Sequence, residues 1–431
     1  MFRPRLLINS ILVLAPALAG SLPGSSAANW PQWRGPQLDG TSSEADAPVS
    51  WNADTNIVWK LPLPARSGST PVVWDDRIFL AVAEKEKEGE LSLWCVDAGK
   101  GSVLWKRSLS AGNEFLRKHN LSSPSPVTDG KHVWAMTGTG IVKAFDFEGK
   151  NLWTRDIQSD YGKFGLMWGY ASSPLLWNGG LFVQVLHGMK TDDPSYLLRL
   201  NPETGETVWR AERPTPAVME SPDAYSTPIA REHGDGAEII VSGGDVVTAH
   251  DPETGKELWR ARVLNPQNNP MHRTVTTPVV VGDMVVAFGK RGPVVGLRAG
   301  GSGDVTDSHV VWTLEKGTDV PTPTTDGKHL FMVNDRGVAW CIEAETGTVV
   351  WGPERLEAEG PYSASPVRAG EHVYATSEEG TTTVFEASKP FRVVARNELG
   401  EYTLSSLAVA GGRIYARTSE HLWAIGEISK E

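Results

Sequence analysis

The chain has 431 residues, among them 44 Gly, 29 Pro and 17 Trp, and a formal net charge of −11. Acids and bases are interspersed rather than clustered, which excludes an electrostatic surface built for nucleic acid or for an anionic membrane. Long amphipathic helical patterns are absent once the N-terminus is set aside, so the profile is all-β, and with no Gly/Ser linker to divide it the chain reads as one large domain.

Residues 1–28 carry Arg3 and Arg5, then the apolar run Leu6 to Ala19, then small residues, which is the pattern of a secretory signal peptide. Cleavage fits after Ala19 or after Ala28, and the second leaves a mature chain that starts where folded sequence starts. The expectation is an exported protein, periplasmic or extracellular, with no transmembrane anchor, because the apolar run is short for a span. No cysteine near the cleavage site is present to carry a lipid. Residues 29–56 include NWPQWRGPQLDG from Asn29 to Gly40, show no period, and read as a strap across the domain. Trp30, Trp33 and Arg34 are expected to pack there as a stacked cluster.

Residues 57–427 are repetitive. The stretch DPETGKELW from Asp251 to Trp259 recurs as NPETGETVW from Asn201 to Trp209 and as EAETGTVVW from Glu343 to Trp351, with eroded copies from Asp97 to Trp105 and from Asp146 to Trp153. Short apolar runs flank each copy, giving strand, turn, strand. The leading Asp, Asn or Glu accepts hydrogen bonds from its own turn, and the glycine four residues on supplies the positive φ that closes it. The closing tryptophans (Trp105, Trp153, Trp209, Trp259, Trp312, Trp351) are suited to docking on a neighbouring sheet.

A Ser/Thr-Pro dipeptide opens the first strand of each unit, at Pro71, Pro126, Pro174, Pro228, Pro278, Pro323 and Pro366, with Leu407 in the eighth copy. Their spacings, 41 to 55 residues, match four-stranded propeller blades. The last unit supplies three strands only, around Ser405 to Ala410, Arg413 to Thr418 and His421 to Ile425. Ile57 to Lys60 is a strand without a blade. The prediction is therefore an eight-bladed β-propeller of four-stranded antiparallel blades, closed by the N-terminal strand completing the last blade, with residues 428–431 as a tail. Closure removes exposed sheet edges. Cys95 and Cys341 occupy the same slot of different units, too far apart to bridge, and read as small buried residues.

These turns and Ser/Thr-Pro strands resemble the pyrroloquinoline-quinone-like (PQQ-like) β-propeller repeat family over roughly residues 57–426, in the form found in exported bacterial proteins. The resemblance implies the propeller fold. It brings two kinds of relative: quinoprotein dehydrogenases, which hold PQQ and calcium on the propeller axis, and the cofactor-free propeller subunit of the outer-membrane β-barrel assembly machinery. The dehydrogenases carry adjacent cysteines against the quinone, and here the two cysteines are far apart in sequence. The assembly subunit is a lipoprotein, and a lipidation cysteine is not found here.

Strand parity places the inter-blade loops on one face. The long ones are Arg107 to Ser122, Asp156 to Ala171, Arg213 to Ala224 and Arg262 to Arg273, joined by His187 to Tyr196 within one unit. Residues just before the innermost strands are expected at the mouth of the central channel: His119, Tyr170, Tyr225, His272, Arg273, Asp319, Tyr362 and Tyr402. Such groups converging on a funnel suit a planar, sugar-like or peptide ligand. Trp168 is expected to pack under Phe164. No metal site is expected; Asp192-Asp193 near His187 reads as a solvated pair, and no nucleophile elbow, phosphate loop or Cys-x-x-Cys occurs. The leading expectation is a monomeric, non-catalytic, cofactor-free binding or scaffold module that engages a protein or polysaccharide partner in the cell envelope. The alternative is a PQQ- and calcium-dependent quinoprotein dehydrogenase that oxidises an alcohol or a sugar.

Overall fold

A computed structural model describes residues 29–427 apart from residues 45 and 235, so the proposed signal peptide and its cleavage sites lie outside the described residues. Among the described residues eight blades, each of four antiparallel strands, surround one axis, and blades 4 and 7 each carry one added parallel strand. Blade 1 runs from the innermost strand Val72–Trp74 through Arg77–Ala83 and Glu90–Asp97 to the outermost Val103–Ala111. Blades 2 to 7 follow as residues 127–156, 175–212, 229–261, 279–314, 324–355 and 367–398. Blade 8 takes Ala408–Ala410, Arg413–Arg417 and His421–Ile425 from the C-terminal end and Ile57–Pro62 as its outer strand, with Lys60 opposite Trp423 and Pro62 opposite His421. The ring is closed as the sequence predicts. Middle strands such as Gly180–Val185 are buried along their whole length, because both of their faces meet neighbouring blades. Among the described residues no helix is long and apolar enough to cross a membrane.

Two devices join blade to blade, and both account for the sequence repeat. The first is the closing tryptophan. Trp59, Trp105, Trp153, Trp209 and Trp312 each donate the indole N–H to a backbone carbonyl of the next blade's turn (Ala98, Phe147, Pro202, Pro252, Ala344) at 2.8–3.0 Å. The indole lies over the turn glycine: a Cβ built on Gly205 would sit 2.6 Å from Trp153. Glycine is thus needed twice, for its positive φ and for the close approach. Trp351 and Trp259 are the exceptions: the buried Trp351 indole N–H has no acceptor among the described residues, and Trp259 donates instead to Glu238 Oε2 of its own blade at 2.7 Å. Blade 5 offers it no such turn; there the chain adds Gly303–Asp304 as a parallel strand beside Glu257–Ala261 of blade 4.

The second device explains the Ser/Thr-Pro mark. The N–H of each Ser or Thr before the proline donates to the hydroxyl oxygen of its counterpart in the following blade: Thr70 to Ser125, Ser125 to Ser173, Ser173 to Thr227, Thr227 to Thr277, Thr277 to Thr322, Thr322 to Ser365 and Ser365 to Ser406, at 2.9–3.2 Å. A belt of hydrogen bonds therefore encircles the axis. Between blades 8 and 1 the link changes, with the Ser405 hydroxyl donating to Ser69 O at 3.0 Å.

Candidate axial binding site

The strap closes one end of the channel. Trp30 exchanges both backbone hydrogen bonds with Val73 of blade 1, Thr128 N of blade 2 donates to Pro31 O, and Leu176 N of blade 3 donates to Gln32 Oε1. The chain then crosses the axis. Arg34, buried, donates to Pro366 O at 3.0 Å, Pro323 O at 2.8 Å and Asp39 O at 3.0 Å, which ties blades 6 and 7 to the strap. Burial lowers its guanidinium to about 10, so it remains cationic at neutral pH. Thr41–Ser42 pair in parallel with the innermost strand of blade 7, and Glu44 accepts from the N–H groups of Gly411 and Gly412 of blade 8 at 2.8 and 2.9 Å. Trp30 packs in the core as expected, whereas Trp33 faces the axis and forms the cavity floor.

Above that floor lies a cavity of about 700 Å³ that opens among the inter-blade loops. His119, Tyr225, Arg273, Asp319 and Tyr362 line it. Tyr170, His272 and Tyr402 do not, because each side chain is taken up beneath the loops. The Tyr170 hydroxyl donates to Gln184 O at 2.8 Å with its ring on Phe164, His272 Nε2 accepts from Lys290 N at 2.8 Å, and the Tyr402 hydroxyl donates to Glu378 Oε2 at 3.2 Å. Trp168 departs from expectation too: it is a cavity wall, held by its indole N–H to Glu220 Oε1 at 2.8 Å, with the Arg117 guanidinium 5.5 Å above its ring.

The wall on the side of blades 2 to 5 is built by the long loops bound to one another. Asp223 accepts from the N–H groups of Met167, Gly188 and Met189 at 2.7, 2.9 and 3.1 Å, and Tyr225 Oη accepts from Trp168 N at 3.1 Å. Burial raises the Asp223 carboxyl to about 6 although those N–H groups favour its charged form. On the other side Asp319 Oδ2 lies 3.5 Å from Arg273 and 3.7 Å from Arg291, and the Asp319 N–H donates to Asp335 at 2.8 Å.

Sequence reasoning missed Trp33, Trp340 and most of the basic lining, which comes from Arg117, Lys118, Arg291, Lys316 and Arg336. It also missed that the serines and threonines of the belt, Ser125, Ser173, Thr227, Ser365 and Ser406, line the deep end. The signal for the belt lies in the sequence, since those hydroxyls belong to the residues that precede the prolines marking each repeat.

The residues present do not fit PQQ paired with calcium. Cys95 and Cys341 are both free and buried in blades 1 and 6, away from the cavity lining. Asp319, the cavity's most buried carboxylate, is held by two guanidiniums that oppose a divalent cation. His187 has both ring nitrogens engaged, with Gly165 N at 3.0 Å and Pro194 O at 3.3 Å, so it does not join Asp192-Asp193 in a cation site. Among the described residues the one group of metal-capable side chains in mutual reach is Glu401, Glu420 and His421, where His421 Nδ1 already lies 2.8 Å from Glu401.

The family model described as outer membrane protein assembly factor BamB, of the PQQ-like repeat type, matches residues 41–163 and 89–353. BamB of Yersinia pestis is 24% identical over 273 residues, 61% of this chain and 61% of that protein. BamB of Bordetella pertussis is 23% identical over 340 residues, 77% of this chain and 76% of that protein. The match thus spans about three fifths of the length of the first of these relatives. The BamB crystal structure from Moraxella catarrhalis superposes with a TM-score of 0.61 at 17% identity, covering 86% of this chain and 99% of that one. The quinohemoprotein alcohol dehydrogenase of Comamonas testosteroni gives 0.66 at 11% identity over 94% and 82%, so both kinds of neighbour share the fold alone. The matched residues cover more than half of the sequence, and the chain belongs to the PQQ-like propeller family of the outer membrane protein assembly factor BamB.

Proposed function

We propose that this protein is a non-catalytic scaffold of the cell envelope that holds a protein partner on its long-loop face. The observation that carries the reading is the difference between the two faces. One end of the channel is sealed by the strap, while the other presents long loops cross-linked through Asp223 into a fixed wall. That wall exposes Val218, Met219 and Met271 at 59%, 54% and 40%, and apolar side chains on a rigid frame are what a protein interface draws on. Relatives named as outer membrane protein assembly factors support the same role. The dehydrogenase alternative is disfavoured by the guanidinium pair on Asp319.

A photo-crosslinking amino acid at Met219 should capture one protein from envelope preparations. With the probe at Met271 instead, shortening residues 215–219, which keeps Arg213, Glu220 and Asp223 in place, should abolish the capture without unfolding the ring. Capture of nothing specific by the intact protein, or dye-linked oxidation of alcohols or sugars that requires added PQQ and calcium, would overturn the reading.

A further inference from the structure

We propose that the axial cavity binds an acidic sugar, a saccharide that carries a phosphate, sulfate or carboxylate group. The site is distinct from the outer loop surface assigned to the protein partner, and it stands whether or not that partner exists.

The deep end of the cavity is a set of unused donors. Ser125, Ser173, Thr227, Ser365 and Ser406 are at most 9% exposed and line the cavity. Each oxygen accepts an N–H from the preceding blade. A hydroxyl has one hydrogen to give, and none of these five gives it to an acceptor among the described residues. Buried hydroxyls seek acceptors, so this level of the cavity favours an occupant rich in oxygen.

Charge narrows the choice. Six cationic side chains (Arg117, Lys118, Arg273, Arg291, Lys316, Arg336) line the cavity against two carboxylates, Asp319 and Asp335. Lys118 pairs with Glu378 at 2.7 Å, and Arg273 and Arg291 share Asp319. Arg117, Lys316 and Arg336 have no carboxylate within ion-pair distance among the described residues. A chain of net charge −11 has thus concentrated unpaired positive charge at one concave site, which draws in an anion and holds it with charge-assisted hydrogen bonds.

The remaining lining asks for more than an acid group. Trp33 forms the floor, and Trp168, Trp340 and Tyr225 stand on the walls, flat surfaces suited to the C–H face of a sugar ring. Asp319 Oδ1 is buried and accepts no hydrogen bond, which suits a sugar hydroxyl and repels a bare polyanion. A cavity of about 700 Å³ with one mouth holds a free sugar or the end of a saccharide chain, and lets no chain pass through.

The test is calorimetric titration of the mature chain with glucose 6-phosphate, glucuronate and a chondroitin sulfate disaccharide, with glucose, citrate and PQQ plus calcium as comparators. At least one acidic sugar should bind with a change in tryptophan fluorescence, at least 10-fold more tightly than glucose or citrate, and more weakly as salt rises. Tighter binding of the disaccharide would assign a polymer end and tighter binding of a monosaccharide a free sugar, both in support. Lys316→Glu and Arg336→Glu, exposed positions that leave the ring intact, should each weaken binding at least 10-fold. Glucose or citrate equal to the acidic sugars, PQQ tighter than all of them, binding unaffected by both substitutions, or no binding would overturn the proposal.

Discussion

The backbone N–H of Thr227 donates to Thr277 Oγ1 at 2.9 Å across the junction of blades 4 and 5. Both groups are buried, so the bond has no water to replace it. Thr277→Val keeps the shape and removes the acceptor, leaving a buried N–H unpaired at a cost of about 1–3 kcal/mol. Thr277→Ser should recover most of that loss. Urea unfolding midpoints decide it; equal midpoints for the Val and Ser variants would mean that the belt adds nothing to stability.

The contact of Gly205 with Trp153 separates two roles of glycine. A Cβ at Gly205 meets the indole at 2.6 Å and φ is +74°, whereas at Gly327 φ is +87° and nothing lies within 4 Å. Gly327→Ala should cost about 1 kcal/mol, from the backbone alone. Gly205→Ala should cost about 1–3 kcal/mol more, because the indole must move. Thermal unfolding with near-ultraviolet dichroism of the tryptophans would read both; equal losses would show the indole to be a passive neighbour.

Arg34 holds three backbone carbonyls from the strap and blades 6 and 7. Arg34→Met strands them, with an expected loss of about 3 kcal/mol, and Arg34→Lys should not restore it, since one ammonium cannot span the same fork. Faster protease cleavage within residues 29–42 is the accompanying signature. A Lys variant as stable as the parent would sink the argument.

His250 makes stability depend on acid. Its Nδ1 lies 3.1 Å from Gly255 O and its Nε2 3.0 Å from Thr248 Oγ1, and burial, with Arg213 nearby, lowers it from 6.5 to about 4. The folded value is the lower one, so this group's contribution is complete above about pH 6.5 and is lost as pH falls through 4, on the order of 3 kcal/mol. Asp223 works in the opposite sense. Raised from 3.8 to about 6, it contributes most below pH 3.8, and that contribution fades as pH rises through 6. The His250 effect is therefore measured as the difference between parent and His250→Gln across pH 4 to 7, which should narrow steadily toward acid; a constant difference would refute it.

The ring was legible because its repeat is written in residues that act locally. The turn acid, the turn glycine and the Ser/Thr before proline each do the same work in every blade. The cavity was legible only in the segments that lead into the innermost strands, which placed His119, Tyr225, Arg273, Asp319 and Tyr362. Tyr170, His272 and Tyr402 stand in the same kind of segment but find partners below the loops, a choice made by packing rather than by spacing. Trp33 was hidden for the opposite reason: an aperiodic strap gives no register, so nothing in the sequence says which of its side chains faces the axis.

The strap has an order as well as a place. After the floor it continues to Trp51, whose backbone N–H donates to Asn397 Oδ1 at 2.9 Å, while Asn397 Nδ2 donates to Val49 O at 2.9 Å. Blade 7 has no closing tryptophan in its outer strand Val393–Glu398, so this segment fills the seam toward blade 8, and the closing strand Ile57–Pro62 comes next. Floor, seam and closing strand thus lie in series on one thread. Tension applied ahead of Asn29 would be borne by them in that sequence, breaching the cavity from below while the circle of blades is still whole.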